Sequence, residues 1–216
     1  MTIGIKICGI STAPSLEACI KAQASHVGFV FFPKSPRHVT LQQAAVLGAV
    51  AAGRIQRVGL FVDADDSTIA EAVAAAKLDV LQLHGSETPE RVAQLSARHG
   101  LPAWKALSVA SAEDVARADA YRGAASMVLF DAKTPKGTLP GGMGLAFDWK
   151  LVAGYRAGGF AQGWGLAGGL GPNNVAEAIT RTGAPLVDCS SGVESSAGVK
   201  DETLIAAFCK AARSPA

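Results

Sequence analysis

The sequence predicts a single-domain α/β protein, a (β/α)8 TIM barrel spanning residues 1–216. Three observations carry this. Eight short, mainly apolar runs lack clean period-two alternation, as strands buried on both faces of a parallel sheet do. Alanine-rich stretches of helical periodicity lie between them, and the length of 216 residues suits one closed barrel.

The predicted strands are Ile3–Cys8, His26–Phe32, Arg57–Val62, Asp79–Leu83, Pro102–Leu107, Ser126–Asp131, Gly163–Ala167 and Pro185–Ser190. The helical stretches are Ser15–Gln23, Leu41–Val50, Thr68–Ala76, Pro89–His99, Ala112–Ala120, Asn173–Thr180 and Thr203–Ala212, with a shorter candidate at Phe147–Val152. Thr40, Ser67, Thr88, Ser111 and Asp201 stand where side-chain oxygens would cap helix starts. A doubly wound open sheet is the structural alternative, but the first strand is not followed by G-x-G-x-x-G. Two connections stand out: the stiff, basic Pro33–His38, and the Gly- and Pro-rich Ala132–Ala146, which reads as a lid.

Composition narrows the function. The net charge of +2 carries no basic block that would serve nucleic acid or a membrane surface, so neither partner is expected. The chain starts directly in its first strand, without a leader pattern, and a cytoplasmic protein is expected. Cys8, Cys19, Cys189 and Cys209 have neither zinc-site spacing nor disulfide density. Cys19, Cys189 and Cys209 sit inside regular elements and read as packing thiols. No metal is expected.

In a barrel the carboxyl ends of all strands meet at one rim, where the chemistry is kept. Cys8, Asp63, His84, Lys105, Asp131 and Asp188 therefore become neighbours despite their separation in sequence. Cys8 ends the first strand before a glycine turn. Asp131 ends an apolar strand, where a carboxylate needs a partner or a proton. Gly168 and Gly169 after strand 7, and Ser190, Gly192 and Val193 after strand 8, occupy the two loops with which barrels frequently bind phosphate, together with a short extra helix expected before Gly198.

These residues carry a resemblance. KICGI at 6–10, GFVFFPKSPRHV at 28–39, VGLFV at 58–62, LQLHG at 81–85, FDAKTP at 130–135, GGMGLAFDW at 141–149, LAGGLGPNNV at 166–175, VDCSSGVE at 187–194 and GVKD at 198–201 follow one another at successive strand ends. In that order they resemble phosphoribosylanthranilate isomerase almost end to end. Met143 and Cys189 depart from it, standing where the family usually has a small hydroxyl residue and a valine.

The resemblance implies a cofactor-free Amadori rearrangement of a small phosphosugar, N-(5-phosphoribosyl)anthranilate, in tryptophan biosynthesis. It implies Asp131 as general acid and Cys8 as general base, with Arg37 holding the anthranilate carboxylate and His84 and Asp188 contacting or orienting the substrate. Lys6 is the nearby cation expected to favour a Cys8 thiolate. The protein is expected as a monomer or homodimer. Rivals share part of this pattern. Another phosphosugar barrel, the sister isomerase of histidine biosynthesis or indole-glycerol-phosphate synthase, would share the fold and phosphate site, but the sister isomerase, and a dual-substrate enzyme with it, uses an aspartate at the first strand end; a non-catalytic phosphate-binding barrel would need neither Cys8 nor Asp131.

Overall fold

Each predicted strand forms, and hydrogen bonding between the first and the last closes them into one cylinder. The computed structural model describes residues 3–133 and 147–214. The strands are β1 (Gly4–Cys8), β2 (His26–Val30), β3 (Gln56–Phe61), β4 (Val80–Leu83), β5 (Ala103–Val109), β6 (Met127–Ala132), β7 (Trp164–Leu166) and β8 (Leu186–Cys189), all parallel and paired in that order. The barrel shuts where β1 meets β8, with Lys6 opposite Asp188.

Around it run α1 (Ala13–Lys21), α2 (Leu41–Ala51), α3 (Asp66–Ala76), α4 (Pro89–His99), α5 (Ala112–Ala116), α6 (Val175–Thr182) and α7 (Glu202–Arg213). Thr40, Thr88, Ser111 and Asp201 cap their helices as expected, Thr40 in a reciprocal capping box with Gln43. Ser67 does not. The cap of α3 is Asp65, whose carboxylate accepts from Thr68 N at 2.7 Å, leaving Ser67 inside the first turn. Aspartate and serine are comparable caps, and the sequence offered both within three positions.

Three further expectations change. The fifth helix is only five residues long and tightens into a 3₁₀ turn at Arg117–Tyr121. The stretch Phe147–Val152 yields a single 3₁₀ turn at Trp149–Leu151. After β8 the expected extra helix is a 3₁₀ turn, Ser191–Val193, followed by a two-stranded antiparallel hairpin, β9 (Glu194–Ser196) and β10 (Val199–Lys200). The lid reading falls on residues 134–146, with Met143, which lie outside the described residues.

Side chains on a strand alternate between faces, so each barrel strand divides its residues between two cores. Ile5 and Ile7 of β1, Val128 and Phe130 of β6, and Val187 and Cys189 of β8 point outward and join the layer under the helices. Val58, Val80, Trp104, Ala106, Met127, Leu129 and Leu186 point inward and fill the lower barrel, while Cys8, Val30 and Leu60 lie above them. Cys19, Cys189 and Cys209 are buried, as read from their positions.

At the lower end, His26 meets the Trp104 ring edge-on at 5.0 Å, and its Nδ1 lies 2.8 Å from Ser25 Oγ. Burial, with Lys6 nearby, pushes the imidazole down to about 4, so the fold favours the neutral ring. A depressed histidine stabilises above its unfolded value of 6.5, and this contribution is lost as pH falls from there toward about 4. At 1.36 kcal/mol per pKa unit the loss approaches roughly 3 kcal/mol. Denaturant unfolding at pH 7 and pH 4.5 should show His26→Gln losing less stability on acidification than the parent; an equal loss in both proteins would remove His26 as the cause.

Candidate active site

Strand parity sorts the polar residues of the rim. Lys6 and Cys8 share the inward face of β1, and Asp188 shares the inward face of β8 with Leu186. Asp131 shares that of β6 with Met127 and Leu129. His84, two residues beyond Gln82, follows the inward face of β4. Lys105 is out of phase with Trp104 and Ala106 and turns outward. Its ammonium donates to Leu83 O at 3.2 Å, Gly85 O at 2.7 Å and Glu87 Oε2 at 3.0 Å. Asp63, with a left-handed φ of 49°, accepts from Ser86 N at 2.7 Å. Glu87 also accepts from the amides of Asp63 and Gly85, so Lys105 and Asp63 tie the loops after β3 and β4 together. Of the rim residues expected from the sequence, these two serve loop structure.

Cys8 sits at the end of β1 with only 5% exposure. Its register partner is Gly28. A Cβ there would lie 2.8 Å from Cys8 Sγ and 3.3 Å from Lys6 Cε, so the missing side chain makes the room the thiol and the ammonium occupy. Lys6 is wholly buried and donates to Asp188 Oδ2 at 2.8 Å, while Asp188 Oδ1 is buried without a hydrogen-bond partner. Burial opposes the Lys6 charge, but Asp188 and Cys8 outweigh it and hold the ammonium above its ordinary value. Burial pushes the Cys8 thiol up, with Asp188 adding to it; Lys6 and Lys200 pull the other way without cancelling it. Lys6 thus acts in the direction expected of it, and burial is the larger effect.

Asp131 is 6% exposed. Its Oδ1 accepts from Ala132 N at 2.8 Å, and its Oδ2 stands 3.2 Å from His84 Nε2, within ion-pair distance but without hydrogen-bond alignment. His84 therefore lies against the proposed acid.

Beside Asp131, Gly168 and Gly169 turn the chain after β7 with φ of 83° and 62°. A Cβ on Gly192 would overlap the Leu170 carbonyl, so the loops after β7 and β8 pack backbone to backbone only with glycine there. A cavity of about 550 Å³ opens between them, lined by Gly169, Gly171, Asn173, Ser191, Gly192 and Arg37 among others. Gly168, Ser190 and Val193 belong to the same two loops; Ser190 Oγ donates to Cys8 O at 3.1 Å, and the Val193 side chain is fully buried. The five residues expected around a phosphate are thus brought together.

Arg37, expected to hold the anthranilate carboxylate, meets Glu194 of the hairpin, with Nε donating to Oε1 at 2.7 Å and Nη2 to Oε2 at 2.8 Å, beside the same cavity. Glu194 also accepts from Lys200 Nζ at 2.7 Å. Burial works against the Arg37 charge, yet Glu194 keeps the guanidinium above its ordinary value; Arg37 and Lys200 keep the Glu194 carboxyl below its own despite burial.

Glu194 and Lys200 carry no role in the sequence reading, although both lie in its matching blocks. A pattern of a glutamate and a lysine flanking Gly198 at hairpin spacing is the signal that was available.

The family model for N-(5'phosphoribosyl)anthranilate (PRA) isomerase matches residues 5–211. The N-(5'-phosphoribosyl)anthranilate isomerase of Paracoccus denitrificans is 52% identical over 216 residues, covering 100% of this chain and 99% of its own. Among solved structures, phosphoribosyl anthranilate isomerase from Thermotoga maritima superposes with a TM-score of 0.85 at 34% identity, over 97% of this chain and 98% of that one. A phosphoribosyl anthranilate isomerase in complex with reduced 1-(o-carboxyphenylamino)-1-deoxyribulose 5-phosphate gives a TM-score of 0.83 at 32% identity, with the same coverage of both chains.

Proposed function

This chain belongs to the phosphoribosylanthranilate isomerase family, and we propose that it performs the Amadori rearrangement of N-(5-phosphoribosyl)anthranilate in tryptophan biosynthesis, with Asp131 as acid and Cys8 as base. The observation that carries this reading is the pair itself. A carboxyl and a thiol, both inward and both nearly buried, end β6 and β1 at the same barrel mouth.

The reaction is an isomerisation, so every proton removed is returned. Asp131 protonates the furanose ring oxygen, the bond from that oxygen to C1 breaks, and the anilino nitrogen supplies the electron pair that forms the imine at C1. Cys8, as thiolate, takes the proton from C2, and the electrons left behind form an enolamine. Return of a proton to C1, with loss of the enol proton from oxygen, gives the 1-amino-1-deoxyribulose product. No electrons leave the substrate, and the protein's own acid and base suffice for these proton transfers. The Lys6 ammonium beside Cys8 favours the thiolate that the step requires. The glycine-lined loops after β7 and β8 suit the 5-phosphate, as barrels with this loop pair often do. Arg37 takes the anthranilate carboxylate, for which a planar, permanently charged fork is the matching donor.

Cys8→Ala and Asp131→Ala should each lower kcat by two or more orders of magnitude while a substrate analogue still binds, because such groups act on the chemical step. Near-normal turnover in either variant would falsify the assignment.

A base acts only when deprotonated, and the Cys8 thiol is raised by burial, so kcat/KM should climb with pH, its rising limb above the ordinary thiol value of 9.0. Lys6→Met removes the nearest opposing charge and should move that limb higher still. A limb that stays in place in this variant would remove Lys6 from the role.

Arg37→Ala should weaken binding of the carboxylated ligand at least tenfold, about 1.4 kcal/mol, while leaving an analogue without the carboxyl nearly unaffected. Equal losses for both ligands would assign Arg37 to the phosphate instead.

A further inference from the structure

Arg37 presents a difficulty as a carboxylate receptor, since two of its donors already engage a carboxylate. An Arg–Glu pair alone has no net charge. The third member of the cluster changes the balance. Lys200 lies opposite Glu194 in the β9–β10 hairpin, and its side chain is fully buried. Its Nζ has three acceptors: Ser190 O at 2.9 Å, Ser190 Oγ at 3.3 Å and Glu194 Oε1 at 2.7 Å. Three acceptors match the three N–H groups of an ammonium; a neutral amine would have one too few.

Glu194 is saturated in turn. Oε1 accepts from Arg37 Nε and Lys200 Nζ, and Oε2 accepts from Arg37 Nη2 and Gly198 N, the last at 3.2 Å. Four donors fill its four lone-pair sites, leaving no acceptor to repel an incoming anion. Among the described residues the cluster therefore counts two cations against one anion.

We propose that Lys200 is a specificity-determining positioning residue: by neutralising Glu194 it lets Glu194 fix the Arg37 fork while the cluster keeps the single positive charge that selects a carboxylated substrate. This rests on the assignment of Arg37 to the carboxylate made above, and on hairpin residues otherwise without a role. Lys200 acts through Arg37 and does not touch the substrate.

The test is a charge rescue, read as the Kd for the reduced carboxyphenylamino ligand and for its phenylamino counterpart lacking the carboxyl. Lys200→Met nearly keeps the side-chain volume, and Glu194 remains paired with Arg37, so no buried charge is left alone. The cluster becomes neutral, and the Kd for the carboxylated ligand should rise about tenfold while that for its counterpart changes less than threefold. Glu194→Gln combined with Lys200→Met restores one net charge and should recover most of the lost affinity. A Lys200 that only braced Ser190 would show no rescue, and that result, or an unchanged Kd in Lys200→Met, overturns the proposal. Arg37→Ala separates the two levels. If it spares the carboxylated ligand, the carboxylate assignment and this proposal fall together; if it weakens that ligand while the rescue fails, only the role of Lys200 falls.

Discussion

The closure of β1 on β8 sets the rest of the site. When these strands pair, Lys6 comes opposite Asp188, and both side chains must point into the barrel. Each charge alone would be prohibitively costly there, and together they make one buried ion pair across the seam. The same alternation sends Cys8 into the mouth one step above Lys6. Gly28 on the neighbouring strand leaves the space that lets thiol and ammonium lie side by side.

The consequence for chemistry is a balance between two effects. Burial stabilises the Cys8 thiol against its thiolate, and the cations around it reduce that preference without reversing it. In the role proposed for it, a thiolate held against burial is a strong base, and a C–H proton needs one. Asp131, the acid in the proposed reaction, is enclosed by its own strand and His84. The loops after β7 and β8 meet this pair directly, Ser190 Oγ donating to Cys8 O at 3.1 Å and Gly168 leaving no room for a Cβ beside Asp131.

Much of this was legible in the chain. The eight strands were readable because burial on both faces requires continuous apolar runs, and their ends identified Cys8, Asp131, Asp188 and the glycine loops together. Parity was legible too, though unused: counting by twos from Trp104 would have turned Lys105 outward. Ser67 was misjudged as a cap because two neighbouring residues could fill the position, and only the path of the chain into α3 selected Asp65. The hairpin after β8 was missed because its strands have three and two residues, too short to show alternation.

By itself, then, the sequence determined the barrel, the rim on which its polar residues gather and the family to which it belongs, since hydrophobic period and loop motifs are properties of neighbours along the chain. Tertiary structure alone decided which charges meet. Lys6 and Asp188 lie 182 positions apart, and Arg37 and Glu194 157. Such pairs form where the strand order brings loops together. Whether Arg37 carries a usable charge depends on that meeting, because an ion pair's balance is fixed by its neighbours in space.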